Sequence, residues 1–273
     1  MNDTERVRLL NDMLLDEMPA YRSDAAKFPQ TEAAQRRLLR SLMNVRPPRP
    51  AVKKFLAEQD ILLQNEARAK GIVTLDGLTD KRVFGRVQLI LWQGDITRLA
   101  VDAIVNAANS ALLGCFIPCH ACIDNAIHSA AGIQLREACA QIMREQGHEE
   151  PTGQAKITPA FNLPCRYVLH TVGPIIYPTG DGLTFAPTED EKNILASCYR
   201  ACLTLAAKHA LNSVAFCCIS TGEFHFPNEQ AAAIAVKTVK NWLTENDCDI
   251  TVIFDVFKDE DKDIYTRIMN QLY

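Results

Sequence analysis

The sequence has no apolar run approaching the roughly 20 residues that span a bilayer, so no transmembrane helix is expected. Its first residues, MNDTERVRLLNDMLLDEMPAY, carry acids where a secretory signal needs a cationic stub and an apolar core. Positive charge is not in excess. Twenty-nine Lys and Arg stand against 33 Asp and Glu, and a net charge of -4 gives no general attraction to nucleic acid or an anionic membrane. Internal repeats and low-complexity segments are absent. These absences leave a cytoplasmic globular protein, expected to be a monomer with neither a membrane nor a nucleic-acid partner. Hydrophobic content of 48% and charged content of 23% suit that class, and 273 residues allow one large domain or one domain with a substantial extension.

Cysteine, by contrast, is plentiful. Ten cysteines in a reducing compartment are not a disulfide framework. Cys198 and Cys202, four residues apart in ASCYRACLTLAAKHA, read as small buried groups on one side of a helix, and Cys217 and Cys218 in VAFCCIS as buried strand residues. Cys139, Cys165 and Cys248 are isolated and read the same way. Cys115, Cys119 and Cys122 are different, because they cluster with a histidine.

Residues 1–80 read as a helical extension without strand signal. TERVRLLNDMLLDEM and TEAAQRRLLRSLMNV place apolar residues at three- and four-residue spacing, with Thr4 and Thr31 as expected N-caps. RPPRP breaks the second helix, since proline lacks the amide hydrogen, and a third helical segment ends at Gly71. From Phe84 to residue 273 the texture changes. RVQLILWQGDIT, VDAIVNAAN, YVLHTVGP, NSVAFCCIS and ITVIFDVF are short apolar, β-branched runs ending in small or polar residues, and helical stretches separate them. This alternation predicts an α/β sheet covered on both faces, with ligands beyond the carboxyl ends of its strands.

Those ends carry residues suited to a nucleotide-like ligand. ISTGEFHFP offers successive amides through a small-residue turn, followed by a helix beginning near Pro227, which suits a diphosphate or simply a tight turn. Asp95 in GDIT suits an adenine amine or a helix cap; Asn106 and Asn109 suit ribose hydroxyls or an Asx turn. Between them, GCFIPCHACIDNAIH packs three cysteines and two histidines into fifteen residues. Three soft ligands would leave an open tetrahedral position, the arrangement of a catalytic zinc; four would close it into a structural one. Adjacent Cys119 and His120 turn toward one metal only awkwardly, so Cys119 reads as a bystander. A redox cysteine pair at CHAC is the other reading. His128, four residues after Asp124, reads as a packed helix histidine.

Taken together and in order, GDITRLAVDAIVNAANSALLG, AIHSAAG, GQAKITPAFNLPCRYVLHTVGP and ISTGEFHFP resemble the macrodomain, specifically its MacroD-type branch. The resemblance covers residues 84–273. It implies a three-layer α/β/α macrodomain with a mixed central sheet, binding ADP-ribose and hydrolysing it from modified protein side chains. It implies further that Asp95 and the Ile96 backbone take the adenine, that Asn106 and Asn109 face the distal ribose, and that Ser220, Thr221, Gly222 and Glu223 form the diphosphate loop with Phe224 beside the ribose. Asp124 falls where this branch carries its catalytic aspartate, with Asn109 as its ribose-holding partner. The chain departs from that branch where CFIPCHAC replaces a glycine run. There it resembles the zinc-dependent microbial macrodomains, which also carry a helical extension, and this implies Cys115, His120 and Cys122 as ligands of Zn2+.

The expected function is removal of mono-ADP-ribose from a modified protein, at the ester to an aspartate or glutamate, with ADP-ribose and mono-ADP-ribosylated protein as partners. A non-enzymatic ADP-ribose reader with a structural zinc and an esterase for O-acetyl-ADP-ribose are the alternatives. A phosphatase acting on ADP-ribose 1″-phosphate is disfavoured, because no dedicated monophosphate pocket is suggested.

Overall fold

The amphipathic stretches at the start of the chain fold into three long helices, α1 (Asp3–Glu17), α2 (Glu32–Val45) and α3 (Lys53–Lys70), in a computed structural model that describes residues 1–84, 87–180 and 184–271. Thr31 caps α2 as expected, accepting from the amide of Ala34 at 3.4 Å. At α1 the cap is Asn2 rather than Thr4. The Asn2 side chain accepts from the Glu5 amide while the Glu5 carboxylate accepts from the Asn2 amide, a reciprocal box that starts the helix two residues earlier than a Thr4 cap would. Gly71, at φ 83°, ends α3. Leu10, Leu14, Leu39, Leu42, Phe55 and Leu62 fill a core of their own, to which Ile133 from farther along the chain also belongs.

Seven strands form the central sheet: β1 (Lys81–Phe84), β2 (Val87–Gln93), β3 (Ala103–Ala107), β4 (Ala155–Pro159), β5 (Tyr167–Thr171), β6 (Ser213–Phe216) and β7 (Thr251–Val256). Their order is β1-β2-β7-β6-β3-β5-β4. The five inner strands are the five apolar runs and all pair in parallel; the two outer strands pair antiparallel, so the sheet is mixed. Inner strands β3, β5, β6 and β7 are almost wholly buried, as helices on both faces require. One further pairing departs from the expectation of no strand before residue 80. Val73–Thr74 runs parallel to Leu99–Ala100, two residues too short to leave a pattern in the sequence. Arg86, the first residue of RVQLILWQGDIT, and Leu272 and Tyr273 of the last helical stretch lie outside the described residues.

Helices α4 (Ile123–Ala131) and α5 (Ile133–Gln146) cover one face, and α6 (Glu189–Lys208), α7 (Asn228–Glu245) and α8 (Asp259–Asn270) pack side by side on the other. The stretch IDNAIHSAAGIQLREACAQIMREQG reads as one helix but is two, broken at Gly132, whose φ of 96° lies outside the helical region. The N-terminal helices lie against α4, making a further layer behind it. Cys139, Cys165, Cys198, Cys202 and Cys217 are buried, and Cys218 and Cys248 half-buried, in keeping with packing roles. Among the described residues no helix is long and apolar enough to cross a membrane.

Leu39, with no exposed surface, marks the helical layer as a true core. Leu39→Ala is expected to destabilise the protein by about 2–5 kcal/mol, measured as a lower urea midpoint at unchanged slope.

Candidate active site

The polar residues of the site hang from the carboxyl ends of the parallel strands. After β2, Asp95 caps the short 3-10 turn Ile96–Arg98, its Oδ1 accepting from the amide and hydroxyl of Thr97 at 3.0 and 2.6 Å. Its second oxygen, Oδ2, stands 3.7 Å from the ammonium of Lys70 at the end of α3. Ile96 is buried, with only its backbone left to meet a ligand.

At the end of β3 the two asparagines part company. Asn109 is half-buried, holds the loop through Gly114 O at 3.2 Å and lies 3.5 Å from Asp124 Oδ2. Asn106, expected on the ribose, is instead wholly buried beneath the cleft. Its amide donates to Asp124 Oδ1 at 2.8 Å and lies 3.2 Å from His170 Nδ1 on β5, so it braces the Asp124 carboxylate from below. The β3 register, which sets Asn106 opposite His170, puts it there.

Asp124 sits in the first turn of α4 and is 94% buried by surface area. Burial raises its carboxyl to about 6, against the opposing pull of the Asn106 hydrogen bond and the positive charge of Arg136. His128 lies 3.4 Å from Asp124, but deep burial and its neighbours His170 and Arg136 hold it neutral, so the contact is no ion pair. It is the packed histidine its spacing suggests. It also dictates the preceding residue of the loop: a side chain on Gly114, at φ 77°, would meet the His128 ring at 2.9 Å.

The loop from Gly114 to Cys122 brings Cys115, His120 and Cys122 together, each half-buried, with their ligand atoms within 4.8 Å of one another. Cys122 is the N-cap of α4, its sulfur accepting from the Asn125 amide at 3.4 Å. Burial and the adjacent Cys115 and Asp124 push its thiol up to about 11, a cost that a bound cation reverses. Cys119 is outside the group. At φ 54° it turns the other way, its sulfur 3.2 Å from Ser41 Oγ and 3.5 Å from Arg37 O on α2.

The loop after β6 presents several backbone amides without partners among the described residues. Ser220 takes a positive φ of 65°, and the amides of Ser220, Gly222, Glu223 and Phe224 donate to no group among the described residues. Helix α7 follows directly from Pro227, as the sequence implies. Two features lock the loop. Phe226 N donates to Ser220 O at 2.9 Å, and Ile176 N donates to Phe224 O at 2.8 Å. The neighbouring strand end needs Gly173, because any Cβ there would run into Ser220 Oγ. Thr221 turns its hydroxyl back onto Cys218 O at 3.0 Å. The loop after β6 and the cysteine loop meet where Glu223 Oε1 lies 3.6 Å from His120 Nε2.

Sequence reasoning missed two residues that brace the cysteine loop and one exposed aromatic near Asp95. Arg136 on α5 is buried and donates to Leu113 O at 2.6 Å and Cys115 O at 3.4 Å, to Met43 O, Asn44 O and Arg46 O at 3.1, 2.7 and 2.7 Å, and lies 4.2 Å under the Phe116 ring. Asn44 on α2 accepts from Cys119 N at 2.9 Å and donates to Ser129 Oγ at 3.0 Å. The third is Phe257, 76% exposed just after β7, on the strand whose last carbonyl, Val256 O, accepts from Gly94 N beside Asp95. An exposed aromatic at the carboxyl end of an inner strand was the available signal for Phe257; the other two depend on contacts between distant segments.

The Macro domain family model matches residues 105–235. Over 99% of its length the chain is 52% identical to the whole of a protein-ADP-ribose hydrolase of Treponema medium, and 44% identical, over 94% of that protein, to a protein-ADP-ribose hydrolase of Staphylococcus aureus. Among solved structures, the Oceanobacillus iheyensis macrodomain with ADP matches at 38% identity with a TM-score of 0.61, covering 70% of this chain and 95% of that one. The Trypanosoma brucei macrodomain in complex with ADP-ribose matches at 28% identity with a TM-score of 0.63, covering 84% and 94%.

Asn44→Ala removes the acceptor of the Cys119 amide and is expected to cost about 1–3 kcal/mol. Amide hydrogen exchange at Cys119 should quicken; exchange at the wild-type rate would show that the loop does not depend on α2.

Proposed function

We propose that this chain, which belongs to the macrodomain family, is a zinc-dependent protein-ADP-ribose hydrolase that cleaves mono-ADP-ribose from aspartate or glutamate esters. Its activity as a protein-ADP-ribose hydrolase accords with relatives that match it end to end. The observation that carries the finer reading is the juxtaposition of Asp124, close enough to act on the Cys122 thiol, with the group Cys115, His120 and Cys122, which the loop after β6 meets through Glu223.

The donor set fits zinc. Two thiols and an imidazole are its preferred soft ligands, and the buried Nδ1 of His120 has no partner among the described residues. With three protein ligands a position stays open, and zinc bound there would supply positive charge to polarise an oxygen at the distal-ribose end. The remaining roles fall to side chains. Asp95 and the Ile96 backbone receive the adenine, with Phe257 stacking on it. The amides from Ser220 to Phe224 hold the diphosphate, and Phe224 flanks the ribose. Asn109 orients the distal ribose, and Asp124, fixed by Asn106, takes a proton from the attacking water. A carboxyl raised to about 6 is a better base than an ordinary one and still ionised at neutral pH. A mono-ADP-ribosylated protein is the substrate, reached from the open side of the cleft.

Chelation of zinc, or Cys115→Ala, is expected to abolish release of ADP-ribose from a target modified at acidic residues. Full turnover by a variant shown to be metal-free would overturn the zinc role. Asp124→Ala should lose at least about 100-fold in kcat while still binding ADP-ribose, and loss of binding alone would point to a reader rather than a hydrolase. Phe257→Ala should weaken ADP-ribose binding by about 1–3 kcal/mol, measured by calorimetry.

A further inference from the structure

We infer that Glu223 is a positioning residue of the metal group: its carboxylate fixes the tautomer of His120 and so ties the anion loop to the metal loop. The inference rests on the zinc reading above. It starts from the two nitrogens of the His120 ring, whose surroundings differ. Nε2 stands 3.6 Å from Glu223 Oε1, while Nδ1 is buried without a partner among the described residues. A neutral imidazole has one N–H and one lone pair. A carboxylate at Nε2 places the hydrogen there and leaves the lone pair at Nδ1, on the enclosed side of the ring. A lone pair there would be the one available to a cation shared with Cys115 and Cys122, whose ligand atoms lie within 4.8 Å of the ring's.

The backbone of His120 is already fixed, its amide donating to Ile117 O at 3.2 Å and its carbonyl accepting from Arg40 at 3.3 Å. Ring rotation and tautomer are what remain undetermined, and Glu223 is the charged group facing the ring. Its side chain is 69% exposed, so it has the rotamer freedom to close 3.6 Å to hydrogen-bond length when a cation draws on the ring. A carboxylate that accepts from the second nitrogen of a ligating histidine raises the basicity of the first and orients it.

The placement has a second consequence. Glu223 contributes its side chain to His120 and its backbone to the loop in which the amides of Ser220, Gly222, Glu223 and Phe224 have no partner among the described residues. Whatever orders that loop also sets the carboxylate, so occupation of the loop by ADP-ribose and of the metal group by zinc are linked. By thermodynamic reciprocity each must alter the other's affinity by the same factor.

The test compares full-length wild type, Glu223→Gln and Glu223→Ala. Zinc affinity is measured by competition with a chromophoric chelator, ligand geometry by the visible spectrum of the cobalt-substituted protein, and stability by the melting temperature of the metal-free chains. Glu223→Ala is expected to bind zinc about 10- to 100-fold more weakly, with an altered cobalt spectrum and an unchanged metal-free melting temperature. Glu223→Gln, which retains an acceptor without charge, should lie between. Variants that keep wild-type zinc affinity and spectrum while losing only ADP-ribose affinity would overturn the inference and leave Glu223 as an anion-loop residue. Wild type that holds no zinc through Cys115 would overturn the metal reading itself, a result distinguishable because it appears before any Glu223 variant is made.

Discussion

One buried guanidinium holds the catalytic end of this molecule together. Arg136 spends its donors on carbonyl oxygens from two distant segments, Leu113 and Cys115 in the cysteine loop and Met43, Asn44 and Arg46 at the end of α2. Among the described residues no carboxylate pairs with it directly. Burial lowers it to about 10, so it remains a cation at neutral pH, solvated by peptide dipoles and by the Phe116 ring. A planar, five-donor head can clamp two chain segments at once; a lysine at this position would hold only a few of the same carbonyls. The charge also reaches Asp124, where it favours the ionised form against the penalty of burial. Loop shape and carboxylate chemistry thus share a single support.

Much of this was legible in the sequence, for definite reasons. The inner strands announced themselves because both faces are covered, which forces continuous apolar runs such as VDAIV and SVAF. The outer strands Lys81–Phe84 and Ala155–Pro159 did not. An edge strand is half solvated, and KRVF and AKITP alternate or carry proline as edges allow. That Cys115, His120 and Cys122 could share a site was read from a family resemblance, which their spacing within eight residues supported only in part, and the fold does bring the three together. Asn106 misled because strand ends do not reveal depth: one residue of register separates a cleft amide from one buried against His170. Arg136, Asn44 and the Glu223–His120 pairing were out of reach, since each joins segments that no local pattern connects.

The helical layer has a place in this account beyond added core. Its hydrophobic cluster reaches across to Ile133, while its polar residues Arg40, Ser41 and Asn44 face the cysteine loop. At the other end of the cleft, Lys70 approaches Asp95, and Arg98 Nε donates to Gly71 O at 2.7 Å. The layer therefore touches both ends of the proposed ligand cleft without crossing it. Cys139, Cys165 and Cys217, packed in and around the sheet, are pushed up to about 12 by burial.

The contacts of Arg136 with α2 span 90 to 93 residues of chain. Closing so long a loop is slow and is not rewarded until both partners exist, so the first helices must wait, during synthesis, for residue 136 to emerge. Until that clasp forms, the backbone around Cys115 lacks one of the contacts that shape it. Assembly of the soft-ligand group is in this way made a late event, reserved for chains that have already joined their beginning to their middle.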